Sequence, residues 1–109
     1  MASTNLQKQA VSSLEAKGFT VVALLPKTVS DILEDIKLVG RIVGRSDVAI
    51  KLADSLAARV NAVVDKTRAA PYKPRVYFEI WYDPLMSVGP GTYINDLITM
   101  AGGVNIFVD

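Results

Sequence analysis

Residues 76–109 read VYFEIWYDPLMSVGPGTYINDLITMAGGVNIFVD, and this stretch decides the class of fold. Together with Arg75 it opens on an aromatic and β-branched run, RVYFEIWY, which predicts a strand over Arg75–Tyr82. Asp83-Pro84 ends that strand, and Leu85–Gly91 reads as a loop carrying Gly89-Pro90-Gly91. A helix is predicted from about Thr92 to Ala101, stopped by Gly102-Gly103. Asn105–Val108 then reads as a short apolar strand. Strand, helix, strand in that order is the unit from which α/β proteins with parallel sheets are built.

Upstream lies Ala70-Pro71-Tyr72-Lys73-Pro74, a connector rich in breakers. Before it, Ala49, Ile50, Ala53, Leu56, Ala57, Val60, Val63 and Val64 recur at helical spacing, which predicts a helix capped by Ser46 and running to about Ala69. At ~1.5 Å per residue such a helix is a rod of roughly 35 Å, longer than one small sheet needs, and so suited to bridging two bodies. A preceding helix is predicted with Ser30 as its cap, Asp31 in its first turn, an apolar stripe from Ile32 to Val43, and Gly44 as its end. Phe19–Leu25, FTVVALL, predicts a strand covered on both faces. Asn5–Lys17 predicts a first helix closed by Gly18. The order is α-β-α-α-β-α-β. Three strands are too few to cover a generous parallel sheet and occupy a long helix as well, so the chain reads as part of something larger. Its divisions are a remnant of one lobe at 1–29, linking helices at 30–70 and a partial second lobe at 71–109.

Composition removes much of the functional menu. With 109 residues there is room for one small domain, and half the residues are apolar. Having no cysteine, the chain forms no disulfide and offers no thiolate; having no histidine, it lacks the usual general base and metal ligand. A net charge of +1 gives no reason to expect nucleic acid as a partner. Met1–Ala10 does not read as a signal peptide, and no run reaches the roughly 18 to 20 apolar residues that span a bilayer.

The motifs quoted above resemble the C-terminal lobe of the substrate-binding proteins that serve ABC importers of cobalamin, haem and iron–siderophore complexes. The resemblance rests on the acidic-Pro turn Asp83-Pro84, the helix start Gly89-Pro90-Gly91-Thr92, and Ala101-Gly102-Gly103-Val104-Asn105-Ile106-Phe107. Leu14–Val21 resembles the last helix–strand unit of that family's N-terminal lobe, Ser30–Gly44 the helix that follows, and Ser46–Arg68 the helix joining the lobes. The resemblance implies an α/β fold with partial Rossmann-like lobes, a helix–strand unit and a strand–helix–strand unit, joined by a long linking helix. It implies non-covalent capture of a metal-chelate or corrin/porphyrin ligand, docking to an ABC permease, no enzyme activity and no resident cofactor. The parent protein would be periplasmic or extracellular and membrane-associated, and this chain would hold only its middle section. An apolar stripe left open would lead to self-association as a homodimer.

Within that frame the candidate ligand-binding residues are Glu79, Trp81, Tyr82, Asp83, Met86, Gly91 and Thr92. Ligands in open α/β sheets sit outside the carboxyl ends of strands, and aromatic and thioether groups suit a flat, partly apolar ligand. Strand alternation places Glu79 and Trp81 on one face and Tyr82 on the other. The alternatives are that Trp81 and Tyr82 are core aromatics and that Glu79 is a buried, paired carboxylate. Backbone amides at Gly89–Thr92 can receive an anion, or Thr92 simply caps the helix; no Walker lysine follows. Lys37, Arg41 and Arg45 read better as a solvated helix face than as a phosphate patch, and Asp31, Glu34 and Asp35 better as first-turn acids than as a metal site. A nucleotide-binding or enzymatic α/β domain is the competing class, without a nucleophile–base pair or phosphate motif to support it.

Overall fold

Helix α2, Val29–Ile42, begins two residues earlier than Ser30 would set it. Thr28 is the cap: its hydroxyl accepts from the Asp31 amide at 3.0 Å, while the Asp31 carboxylate accepts from the Thr28 amide at 2.9 Å. This reciprocal box needs the acid three residues after the cap, a spacing that Thr28 meets. A computed structural model describes residues 2–108, with side chains from residue 8 onward. The remaining elements are α1 Ala2–Glu15, α3 Ser46–Arg68, β1 Arg75–Val76, β2 Glu79–Tyr82, β3 Leu85–Ser87, α4 Tyr93–Met100 and β4 Val104–Asn105.

α2 and α3 form an antiparallel pair. Gly44 takes φ +70 in the turn, and the Arg45 amide closes back onto the Gly40 carbonyl at 2.7 Å. That backbone closure places Arg45, which makes no side-chain cap bond, at the cap position and Ser46 inside the helix, contrary to the expected Ser46 cap. The helices meet at small residues. A Cβ at Gly40 would overlap the Ala49 methyl, and Ala49 and Ala53 are buried. The rest of the stripe is less covered than a core stripe should be, with Ile50 and Val63 both about half exposed.

The strand–helix–strand unit exists, with changes. β1 and β4 pair in parallel, Arg75 beside Val104 and Val76 beside Asn105, with α4 between them in sequence. The Val104 amide donates to Pro74 and the Ile106 amide to Val76, which lengthens the ladder at both ends. The predicted Arg75–Tyr82 strand is two strands, because the second half turns away to pair antiparallel with β3. Part of the predicted loop, Leu85–Ser87, is therefore a strand, and the peptide between Asp83 and Pro84 at the hairpin turn is cis. The last strand is Val104–Asn105 instead of Asn105–Val108.

Phe19–Leu25 forms no strand. Among the described residues no backbone hydrogen bond engages Thr20–Leu25, and Phe19, Val22 and Leu25 are more than half exposed. A strand exists only through its neighbours, and none lies alongside. The molecule is accordingly open. Its radius of gyration is 17.4 Å, where a compact chain of this length has about 13 Å. Its accessible surface is 8426 Å², where a compact monomer of this mass exposes about 5,900 Å², an excess of about 2,500 Å².

Candidate functional site

The candidate residues fall into two groups. Glu79, Trp81, Tyr82, Asp83 and Met86 lie on the β2–β3 hairpin; Gly91 and Thr92 lie at the start of α4. Among the described residues no side-chain hydrogen bond joins the groups.

The hairpin presents its aromatics outward. Trp81 is 54% and Tyr82 74% exposed, so neither is a core aromatic here. The pairing shifts between Glu79 and Trp81: Glu79 sits opposite Ser87, Trp81 opposite Met86 and Tyr82 opposite Leu85. This irregularity breaks strict alternation. Instead of facing opposite ways, the rings of Trp81 and Tyr82 stack at 5.6 Å with 27° between their planes. The indole Nε1 donates to the Asp83 carbonyl at 2.8 Å, which pins the ring over the turn. Met86, opposite Trp81, and Leu85, opposite Tyr82, are exposed as well. Glu79 is exposed, so its carboxylate is not the buried, partnered group that the apolar run suggested.

Thr92 caps α4: its hydroxyl accepts from the Asn95 amide at 3.2 Å and donates to the Gly89 carbonyl at 3.0 Å. Gly91 takes φ +75, which favours glycine. With Asp96 in the first turn, this helix start is already supplied with negative charge and has little call for an anion. Behind the hairpin a cavity of about 350 Å³ is lined by Tyr77, Leu85, Ser87, Val88, Gly89 and Phe107, with Tyr77 and Phe107 edge to face at 6.0 Å. A larger groove, about 530 Å³, runs between Leu24, Pro26 and the α2–α3 pair, and no candidate residue lines it.

Asn105, in the Ala-Gly-Gly-x-Asn motif, is not among the candidate residues, yet it joins the segments that carry the hairpin and α4. It is 1% exposed; its Nδ2 donates to the Val88 carbonyl and to Asn95 Oδ1, both at 2.9 Å, and its Oδ1 accepts from the Phe107 amide. One amide thus ties together the end of β3, α4 and the segment after β4. An asparagine in an apolar strand was the available signal, since a buried amide must find partners. Of the basic and acidic helix residues, Lys37 pairs with Glu34 at 2.9 Å, and Asp31 serves the α2 cap.

The fold is that of solute-binding proteins. It superposes on an ABC transporter substrate-binding protein of Listeria monocytogenes (TM-score 0.80, 24% identity, covering 96% of this chain and 41% of that one). It likewise matches the periplasmic vitamin B12 binding protein of Vibrio cholerae (TM-score 0.77, 22% identity, 94% and 40%). The model of the family described as periplasmic binding protein matches residues 1–109, and the chain belongs to that family. Among curated relatives, a cobalamin-binding protein of Halobacterium salinarum is 31% identical over 114 aligned positions, covering 100% of this chain and 30% of the relative. A vitamin B12-binding protein of Vibrio cholerae serotype O1 is 25% identical over 100 residues, covering 91% and 36%. The chain spans about a third of the length of these curated relatives.

Proposed function

We propose that the chain is part of the solute-binding component of an ABC importer, and that its hairpin offers one wall of the site for a cobalamin, haem or iron–siderophore ligand. The observation that carries this reading is the stacked, outward Trp81–Tyr82 plate flanked by Met86. A flat ligand gains contact with such a plate at little ordering cost, because the Nε1 bond already holds the indole. Asp83 supplies the carbonyl that holds it, Glu79 offers a rim carboxylate, and Gly91 and Thr92 shape the loop beside the cavity. Segments 1–29 and 71–109 belong to opposite lobes in this reading, with 30–70 linking them. Binding is non-covalent, an ABC permease is the receiving partner, and the parent works in the periplasm or outside the cell. The relatives' names, cobalamin- and vitamin B12-binding, favour a corrin.

Trp81 is the only tryptophan. Its fluorescence should be quenched saturably by at least one of cobalamin, haem or a ferric siderophore, beyond the inner-filter loss given by free tryptophan, and Tyr82→Ala should weaken that ligand about 5- to 100-fold. Quenching by none of the three rejects the hairpin as a competent site in this chain.

A second reading, self-association as a homodimer, is favoured by the excess surface of about 2,500 Å² per chain, which exceeds the roughly 600–1,000 Å² that each partner of a stable interface buries. Size-exclusion chromatography with light scattering tests it.

A further inference from the structure

α3 is 23 residues long and α2 is 14, and the two run antiparallel. The C-terminal nine residues of α3 therefore overhang the start of α2 by about 13 Å at ~1.5 Å per residue. α4, eight residues and about 12 Å long, occupies this step. It is held at both places. Asp96 Oδ2 accepts from the Val29 amide at 2.7 Å, and the Thr67 hydroxyl donates to the Met100 carbonyl at 2.9 Å.

The first bond has an unusual standing. Val29 is the first residue of α2, so its amide has no partner within the helix. The local cap is already committed: Asp31 serves the amides of Lys27 and Thr28, and the Thr28 hydroxyl serves Asp31. The Val29 amide is reached from across the molecule, 67 positions along the chain, and Val29 is 7% exposed. The Asp96 carboxylate lies in the first turn of its own helix as well. It therefore complements the positive ends of two helices at once. Everything the hairpin presents is carried by the body to which α4 belongs, through Asn95 and Asn105.

We propose that Asp96 is the positioning residue of this joint: its bond to the Val29 amide, with Thr67 on Met100 as the second pin, sets the orientation of the hairpin-bearing body against the α2–α3 pair. The joint stands on geometry alone; its consequence for ligand capture rests on the function proposed above.

The chain lacks cysteine, so a pair introduced at the exposed positions Lys51 and Thr99 gives two unique spin-label sites. Asp96→Ala should broaden the distance distribution between them. Asp96→Asn, whose amide oxygen still accepts, should stay close to the parent. Lys37→Ala, which removes the Lys37–Glu34 pair on α2 without touching the joint, should leave the width unchanged. By hydrogen exchange, the Val29 amide in Asp96→Ala should exchange about 10- to 100-fold faster, as expected for losing a bond to a charged acceptor. A distance distribution for Asp96→Ala that superimposes on the parent's, or an unchanged Val29 exchange rate, overturns the proposal. Should Asp96→Ala fail to show helical circular dichroism, Thr67→Ala takes its place; it removes the second pin, should broaden the same distribution, and refutes the joint if it does not. None of these readouts needs a ligand, so a failed Trp81 titration and a failed joint are separate results.

Discussion

Asp31 shows how much one carboxylate can do at the start of a helix. It accepts from the amides of Lys27 and Thr28, and these bonds, the Lys27 bond foremost, hold its carboxyl below the ordinary value of 3.8. A depressed folded-state value means the anion is favoured in the fold. The contribution is whole above the unfolded-state value and fades as pH falls through 3.8 and on through the lowered folded value. Acid titration followed by amide exchange at Lys27 and Thr28 should show that loss in the parent, and Asp31→Asn should abolish the pH dependence while losing part of the cap. The residue scale also shows where sequence was informative. Trp81, Tyr82 and Met86 stand out in the sequence as candidates by their chemistry and place at a strand end. Their mutual geometry was not legible, because it depends on a register shift that only the partner strand β3 creates. Asn105 stands within a quoted motif, yet two of its three bonds reach Val88 and Asn95, 17 and 10 residues away, which no local spacing reveals.

Among the elements, the helices were legible and the strands only in part, for one reason. A helix satisfies its own backbone and declares itself by its 3.6-residue stripe; a strand is defined by a neighbour. FTVVALL has the composition of a buried strand and forms none here, whereas Leu85–Ser87, which reads as loop, pairs with β2. Two caps differ from the sequence reading, Thr28 in place of Ser30 and Arg45 in place of Ser46, and α1 spans Ala2–Glu15 where Asn5–Lys17 was expected. The α2–α3 contact supplies a sharp test. Besides overlapping the Ala49 methyl, a Cβ at Gly40 would lie 3.2 Å from the Arg45 carbonyl. Gly40→Ala should therefore cost about 1–3 kcal/mol in urea unfolding. Adding Ala49→Gly should return part of that loss, because it removes the methyl that the new one meets; additive losses would show that the helices do not touch at this point.

For the whole molecule, the decisive quantities are the radius of gyration and the surface. Both exceed the values of a compact chain, and Phe19, Val22 and Leu25 are among the apolar side chains left uncovered. An unpaired, β-branched segment is a template for strand addition. Under the homodimer reading, light scattering should give twice 11.8 kDa at micromolar concentration, with the amides of Thr20–Leu25 protected only in the associated form. A monomer mass with those amides fully exchanging would reject it, and protection appearing only when a different polypeptide is supplied would assign the segment to that partner.

The nine-residue overhang of α3 also works as a gauge of phase. Each residue of a helix turns it by about 100° and lengthens it by about 1.5 Å. A single residue inserted after Asn61 would carry Thr67 around the axis and away from the Met100 carbonyl, while Asp96 still belonged to Val29. Insertion of about seven residues would restore the phase but carry Thr67 about 10 Å along the axis, beyond the reach of the fixed length of α4, so both pins close together only at the present spacing. The length of α3 between its contact with α2 and Thr67 is thus held in both phase and reach, and is closed to insertions of one residue and of whole turns alike.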